Sequence, residues 1–310
     1  MISASIVAHS KCANTGKEIV TFELIYPRFI HIELLVHRLF SRNAASSRAI
    51  PASKMIEQVR NAPAMPIHWG KNQPGMQAKE ELGKMTKAAV ICEWEEAAVQ
   101  VAVSAKAMSD MGAHKQVVNR LLEPFQWMKT VVTATEWDNW FWLRNHSDAQ
   151  PEIKRLAEVM LESLQTSVPN HLEPGEWHVP YYEHGKWDDR GGARDKFCRT
   201  LQEALAISSS CCAQVSYRQL DDSLEKAQMI YHRLVESEPV HASPFEHQAT
   251  PMASSQVGNL CPSVNLASFP GSWQDGITHC DKHGRLWSGN FKGWVQHRQL
   301  IPNNTKWGKE

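Results

Sequence analysis

Across 310 residues this sequence carries no net charge, no long apolar run and no CxxC pair, and each absence removes a class of function. The 33 Lys plus Arg balance 33 Asp plus Glu, so bulk attraction to nucleic acid or to an anionic membrane is not expected. No stretch approaches the ~18 apolar residues of a membrane span. The N-terminus, MISASIVAHSKCANTGKE, lacks the basic start and long apolar core of a signal peptide. The seven cysteines, at 12, 92, 198, 211, 212, 261 and 280, are scattered and odd in number, which fits reduced thiols in a cytoplasm. A GxSxG elbow, a P-loop and a GxGxxG turn are also missing. That sets aside a nucleophile elbow, P-loop phosphate binding and a Rossmann dinucleotide site.

What remains is an ordinary globular composition, 42% hydrophobic and 21% charged, in a chain long enough for one large core or two smaller ones. Within it the window Pro27–Pro51 is locally basic: Arg28, Arg38, Arg42 and Arg48 face one acid, Glu33. Ser41, Asn43, Ser46 and Ser47 lie among those arginines. A solvated basic face accounts for the arginines alone. Guanidinium forks beside short hydroxyl and amide donors instead favour an anion site, because a phosphate needs charge and fixed orientation together. Metal readings fare worse. His31 and Glu33 would point to different faces of a helix, so packing explains His31, Glu33 and His37 better. His279, Cys280 and His283 make at most half a zinc site with no matching pair, so no metal is expected.

Alternation and turn signals predict strands over 3–10 and 18–26 around Asn14-Thr15-Gly16. A short helix is expected over IHIELLVHRLFSR, residues 30–42. The loop His68–Gln77 is marked by Gly70, Pro74 and Gly75 and offers Lys71 and Asn72 to a ligand, although a plain surface loop explains it as well. Helices are predicted from Ala78 to about Ala113, over Lys115–Leu122, and from Pro151 with Ile153, Leu156, Met160 and Leu164 as the apolar face. The aromatic cluster Trp137–Trp142 reads as packing. Arg144, set directly behind it, is a cation beside an apolar wall and so calls for a partner. Residues 166–200 read as a connector, Cys212–Tyr217 as a strand, and Asp222 with Glu225 as a capping box opening a helix with Leu224, Ala227, Tyr231 and Leu234 on its stripe. Residues 248–289 read as one long Ser/Gly/Pro-rich loop.

Several of these pieces resemble the flavin-dependent thymidylate synthase family. His37-Arg38, then Ser46 and Arg48, is similar to its RHR-x7-S motif, with Val36 where the first Arg stands and Ala44 where many members have Glu. Asn139, Leu143-Arg144, Ala149-Gln150 and Glu152-Ile153 resemble its second motif. AQVSY at 213–217 and HASPFEH at 241–247 are similar to segments that precede RHR in the family but follow it here, and Gln296-His297-Arg298 resembles the join. The resemblance implies one α+β domain over 1–310, mixed helices packed on an antiparallel sheet, circularly permuted. It would comprise residues 1–165 with the two motifs, a 166–205 connector, and a permuted part over 206–310. It also implies a phage-type homotetrameric enzyme, in the host cytoplasm if phage-encoded. The implied reaction moves a one-carbon unit from methylenetetrahydrofolate to C5 of dUMP with FAD and NADPH. Hydroxymethylation of dUMP or dCMP, or non-catalytic nucleotide binding, are the alternatives. By position Arg144 and Ser46 would be catalytic, and Ser46, Arg48, Arg120 and Arg144 would bind the nucleotide. His37, Arg38, Ser41, Asn43, Asn139 and His241 would line the flavin, and Arg298 would replace the cation lost at Val36.

Overall fold

The computed structural model describes residues 1–189, 200–216, 220–257 and 270–306. Its frame is a five-stranded sheet in the order β3-β4-β2-β1-β5, formed by β1 (Ser3–Cys12), β2 (Glu18–Pro27), β3 (Ser41–Ala44), β4 (Trp127–Ala134) and β5 (Asn170–Leu172). All pairings are antiparallel except β1 with β5. Gly16, at φ +67°, takes the left-handed position in the β1–β2 turn, a conformation that costs glycine nothing.

Period-2 alternation in β2 gives the sheet two different faces. Val20, Phe22, Leu24 and Tyr26 are buried in a core with Ile153, Leu156, Ala157 and Met160 of the helix Pro151–Gln165. The intervening residues turn the other way. There Ile19 enters a second cluster with Trp294 and Phe291, Thr21 joins a polar network, and Glu23 pairs with Lys129 at 2.9 Å.

Helices α1 (His31–Leu35) and α2 (Ala52–Asn61) flank β3. Helices α3 (Lys84–Asp110) and α4 (Lys115–Leu121) precede β4, and α5 (Asp138–Arg144) and α6 (Pro151–Gln165) follow it. Helices α2, α3 and α4 form a separate packet around Val59, Ala98, Ala102, Ala105, Val118 and Leu122. Small residues at 98, 102 and 105 let the helices approach closely along one stripe.

Beyond α6 come β6 (Trp177–His178), β7 (Lys186–Trp187), α7 (Leu201–Ala213), α8 (Leu224–Val235), β8 (Ala249–Pro251) and α9 (Ser254–Val257). The last strands are β9 (His279–Cys280), β10 (Leu286–Ser288), β11 (Phe291–Lys292) and β12 (Trp294–Gln296). They complete a four-stranded sheet, β12-β8-β6-β7, and a three-stranded one, β11-β10-β9.

The architecture is therefore α+β, as expected, with several local corrections. The helix expected over 30–42 stops at Leu35, and Ser41–Ala44 is a strand at the sheet edge. The strand expected over Cys212–Tyr217 is the end of α7 and a 3-10 turn over Gln214–Ser216, while Tyr217 lies outside the described residues. A capping box explains the outcome: Thr200 accepts from the Glu203 backbone N–H and Glu203 accepts from that of Thr200, which nucleates a helix running into this segment. Ser223, rather than Asp222, caps α8, accepting from the Lys226 N–H at 3.4 Å. The connector holds β5, β6 and β7. The long loop carries β8, β9 and β10 on its described parts, with 258–269 outside them.

Between the two larger sheets runs a buried polar chain. Ser10 Oγ meets His178 Nδ1 at 2.8 Å, and His178 Nε2 meets Thr21 Oγ1 at 2.9 Å. Thr21 and Thr133 share a 2.7 Å bond, and Thr133 reaches His247 Nδ1 at 2.8 Å. Burial pushes both histidines down to about 3. Their folded values lie below the ordinary value near 6.5, so the unfolded chain binds more protons under about pH 6.5. Stability is complete above that pH and falls as the pH drops toward about 3, by up to about 1.4 kcal/mol per pH unit for each histidine. A thermal melt series is expected to show Tm falling steadily between about pH 7 and about pH 5. A flat Tm over that window contradicts the buried, neutral pair.

Candidate functional site

Residues 27–51 fold as a strand end, a 3-10 turn at Arg28–Ile30, helix α1, a turn and β3. Arg42 on β3 donates through Nη1 to the carbonyls of Leu35 at 2.7 Å and His37 at 3.0 Å. It satisfies the C-terminal end of α1, where a cation is favoured. Its neighbours Ser41 and Asn43 face the opposite way and are buried. Ser41 Oγ sits within 3.2 Å of Asn290 and Gln296, and the Asn43 amide donates to the Cys212 carbonyl at 3.1 Å. Asn43 Oδ1 is buried with no partner.

The following turn is held from two sides. The Ser46 backbone N–H donates to Ser216 Oγ at 2.7 Å, and the Asn119 amide donates to the carbonyls of Ser47 at 2.6 Å and Ile50 at 3.0 Å. This leaves a hollow of about 320 Å³ lined by Arg42, Asn43, Ser46, Ser216 and Ser243. The three serines and Arg42 line it, while Asn43 Oδ1 lies buried behind its wall. Arg48 is exposed and has no ion pair among the described residues.

Arg144 closes α5 on the other side of α1. Its Nε donates to His37 Nε2 at 3.0 Å, Nη1 to the Glu33 carboxylate at 3.1 Å, and Nη2 to the Glu33 carbonyl at 3.4 Å. His37 stacks on Phe40 and meets Trp140 edge-on at 4.8 Å. Burial first, then Arg144 and Arg42, push His37 down to about 4, so it is neutral and accepts from Arg144. Burial raises the Glu33 carboxyl, Arg144 lowers it and Glu152 raises it again. The pair opens onto a cleft of about 1240 Å³ walled by Phe29, Ile67, His68, Trp94 and Glu152. The 68–77 loop forms part of that wall: a Cβ on Gly70 would stand 2.2 Å from the Ala78 Cβ, so the loop closes only with glycine there. Lys71 is turned toward Glu80 at 3.7 Å.

Within this chain, then, His37 meets Arg144, while Ser46 and Asn43 share the smaller hollow. Arg120 is engaged elsewhere, 3.6 Å from Glu123, which also holds Arg28 at 2.9 Å. Its neighbour Asn119, and not Arg120, reaches the Ser46–Ile50 turn from α4, together with Lys115, which donates to the Ala49 carbonyl at 3.1 Å. Arg38, Asn139 and His241 are exposed. Arg298 pairs with Glu246 and donates to the Asn304 carbonyl at 3.3 Å. Burial lowers the Arg42 guanidinium, and the Glu246 carboxylate offsets part of that shift. His31 bonds Tyr26 at 2.8 Å, which is packing, as expected. No cluster able to hold a metal occurs among the described residues, and no helix there is long and apolar enough to cross a membrane.

Sequence reasoning passed over Glu33 as an Arg144 partner, although its i,i+4 spacing to His37 places both toward one side of the helix and turn. Ser216, Ser243 and Gln296 lie in the AQVSY, HASPFEH and QHR segments that the resemblance marked, whereas Asn290 carries no local signal and reaches Ser41 only through a long-range contact.

Residues 17–170 match the family described as thymidylate synthase complementing protein. Among solved structures, the UMP/dUMP methylase PolB from Streptomyces cacaoi bound with 5-Br UMP is 16% identical, with 53% of this chain and 88% of that one covered and a TM-score of 0.44. The same methylase bound with 5-Br dUMP is 19% identical, with 47% and 66% covered and a TM-score of 0.40. No curated protein sequence matches significantly. The family match runs through both motifs in one continuous stretch, and circular permutation is not confirmed.

Proposed function

The chain belongs, through residues 17–170, to the thymidylate synthase complementing protein family, and from that premise we propose an FAD-dependent transfer of a one-carbon unit from methylenetetrahydrofolate to C5 of dUMP, with NADPH as reductant. The observation that carries this reading is the family segment's two unlike sites, a hydroxyl-lined hollow at Ser46 and a fork-bearing cleft at Arg144. Ser46 and Arg48 hold the nucleotide phosphate, one by a short donor and one by charge. Arg144 lies on the pyrimidine edge and opposes negative charge as it develops on the ring. His37 and Arg42 act from inside, fixing Arg144 and the end of α1. Arg120 contributes to phosphate binding once it leaves Glu123.

The residues present fit a flavin. Arg38, Asn139 and His241 are exposed polar groups with no ion pair among the described residues, and Asn43 Oδ1 is an orphaned buried acceptor; the larger cleft, which other residues line, exceeds the ~300–1,000 Å³ of a small-ligand pocket. Ser41 and His37, engaged inside the chain, position their neighbours. Bound FAD supplies the hydride chemistry, and the protein orients and polarises.

The hollow and the cleft share no lining residue. A homotetramer would let a nucleotide draw its phosphate and ring contacts from two copies of the chain. Exposed Val90, Val99 and Val103 along the 27-residue α3 offer apolar surface for assembly. One departure favours a second reading, a non-catalytic nucleotide binder: Val36, 58% exposed, stands where the family has Arg.

Purified protein is expected to be yellow, or to become so on reconstitution with FAD, and to bleach on addition of NADPH. Colourless protein that cannot be reconstituted contradicts the enzyme reading. Arg48→Ala is expected to weaken dUMP binding by about tenfold or more, the worth of one hydrogen bond to a charged group. Calorimetric titration checks this, and unchanged affinity places the phosphate elsewhere.

A further inference from the structure

We infer that Glu33 is the acceptor that reads a ring N–H of the substrate base, so that Glu33 and Arg144 together form a donor–acceptor edge selecting uracil over cytosine. This rests on the dUMP reading above and adds what recognises the base.

A guanidinium has five N–H donors and no acceptor. Arg144 uses three of them on His37 and Glu33, so its plane is fixed and two donors remain. The Glu33 carboxylate, half-exposed to the cleft, bonds Arg144 through Oε2, and Oε1 has no donor among the described residues. Carboxylate and guanidinium are locked side by side because Arg144 grips both the side chain and the carbonyl of the same residue. Phe29 and Trp94, 6.3 Å apart, line the same cleft with Ile67 and Pro66. This apolar and aromatic wall, in which the two rings pack edge-on, takes one face of a planar ring, and the polar pair takes its edge.

The edge such a pair accepts follows from donor counting. The ligand atom facing an ionised carboxylate must donate, and the adjacent atom facing the guanidinium must accept. N3–H beside a carbonyl, the lactam edge of uracil, meets both demands. Cytosine in the same orientation turns a lone pair at N3 toward a carboxylate, leaving both acceptors unpaired and desolvated. A flavin ring also carries a lactam edge, so the test has to separate the two sources.

Wild type and Glu33→Ala are titrated with dUMP, N3-methyl-dUMP, dCMP and FAD. Wild type is expected to bind dUMP at least about tenfold more tightly than N3-methyl-dUMP or dCMP, and Glu33→Ala to reduce that preference to within about twofold. Wild type that binds N3-methyl-dUMP or dCMP as well as dUMP overturns the role of Glu33 while leaving dUMP as a ligand. Glu33→Ala that loses FAD but keeps its preference for dUMP assigns the pair to the flavin and overturns the uracil assignment. Wild type that binds no dUMP at all removes the functional reading itself, and the inference with it. If Glu33→Ala fails to fold, the wild-type comparison of dUMP with N3-methyl-dUMP decides alone.

Discussion

Replacing Arg144 by alanine is expected to lower kcat for nucleotide turnover by about 10²- to 10³-fold while the protein still folds, the size of loss seen when one preorganised donor to developing charge is removed. The fold survives because the side chain is 21% exposed, at the end of the seven-residue α5. Its loss unpairs His37 and Glu33 at a cost of about 1–3 kcal/mol, against a total stability of about 5–15 kcal/mol. Steady-state kinetics beside far-UV circular dichroism separates the two effects. Arg144→Lys is expected to recover little, because one ammonium cannot bond His37 and both Glu33 groups as a planar fork does. Unchanged turnover in Arg144→Ala would mean that the ring lies elsewhere.

The largest stability effect falls on the residue behind that site. Trp140 is 1% exposed and meets His37 at 4.8 Å and Phe40 at 5.5 Å. Truncation to alanine leaves a cavity that its neighbours fill only in part, at a cost of about 3–5 kcal/mol. Urea denaturation is expected to show a lower midpoint at unchanged slope, the mark of lost stability without a changed unfolded state. His37 loses its aromatic support in the same variant, so kcat falls as well. An unfolding free energy within about 1 kcal/mol of wild type contradicts the packing described for this corner.

The parts of the fold legible in the sequence are those specified locally. Alternation along 18–26 separates Val20, Phe22 and Leu24 from Thr21 and Glu23, and the structure divides the same residues between two faces. Pro151 and the stripe Ile153, Leu156, Met160 give α6 both its start and its buried side. β4, the partner of both β2 and β3, was announced only by the β-branched run Thr130–Thr133 and went unpredicted. Local β-propensity at Gln214-Val215-Ser216 lost to a helix capped at Thr200.

The site follows the same division. Arg144 was legible as a cation behind an aromatic wall, but its partner Glu33 lies 111 positions away. The packing of Ser41 against Asn290 and Gln296 depends on segments 249 and 255 residues distant, which no local pattern encodes. The resemblance named the candidate residues, whereas burial decides which of them still have a free polar atom.

The central claim is that this family member modifies the pyrimidine at C5 using a flavin. The most direct test incubates purified protein with dUMP, methylenetetrahydrofolate, FAD and NADPH and analyses the nucleotide by mass spectrometry. Conversion of dUMP to a product heavier by one CH2 unit, a methyl having replaced the C5 hydrogen, dependent on FAD and slowed about 10²- to 10³-fold in Arg144→Ala, is the predicted result. Unmodified dUMP after incubation with flavin-loaded protein, in the presence of every cosubstrate, would contradict it.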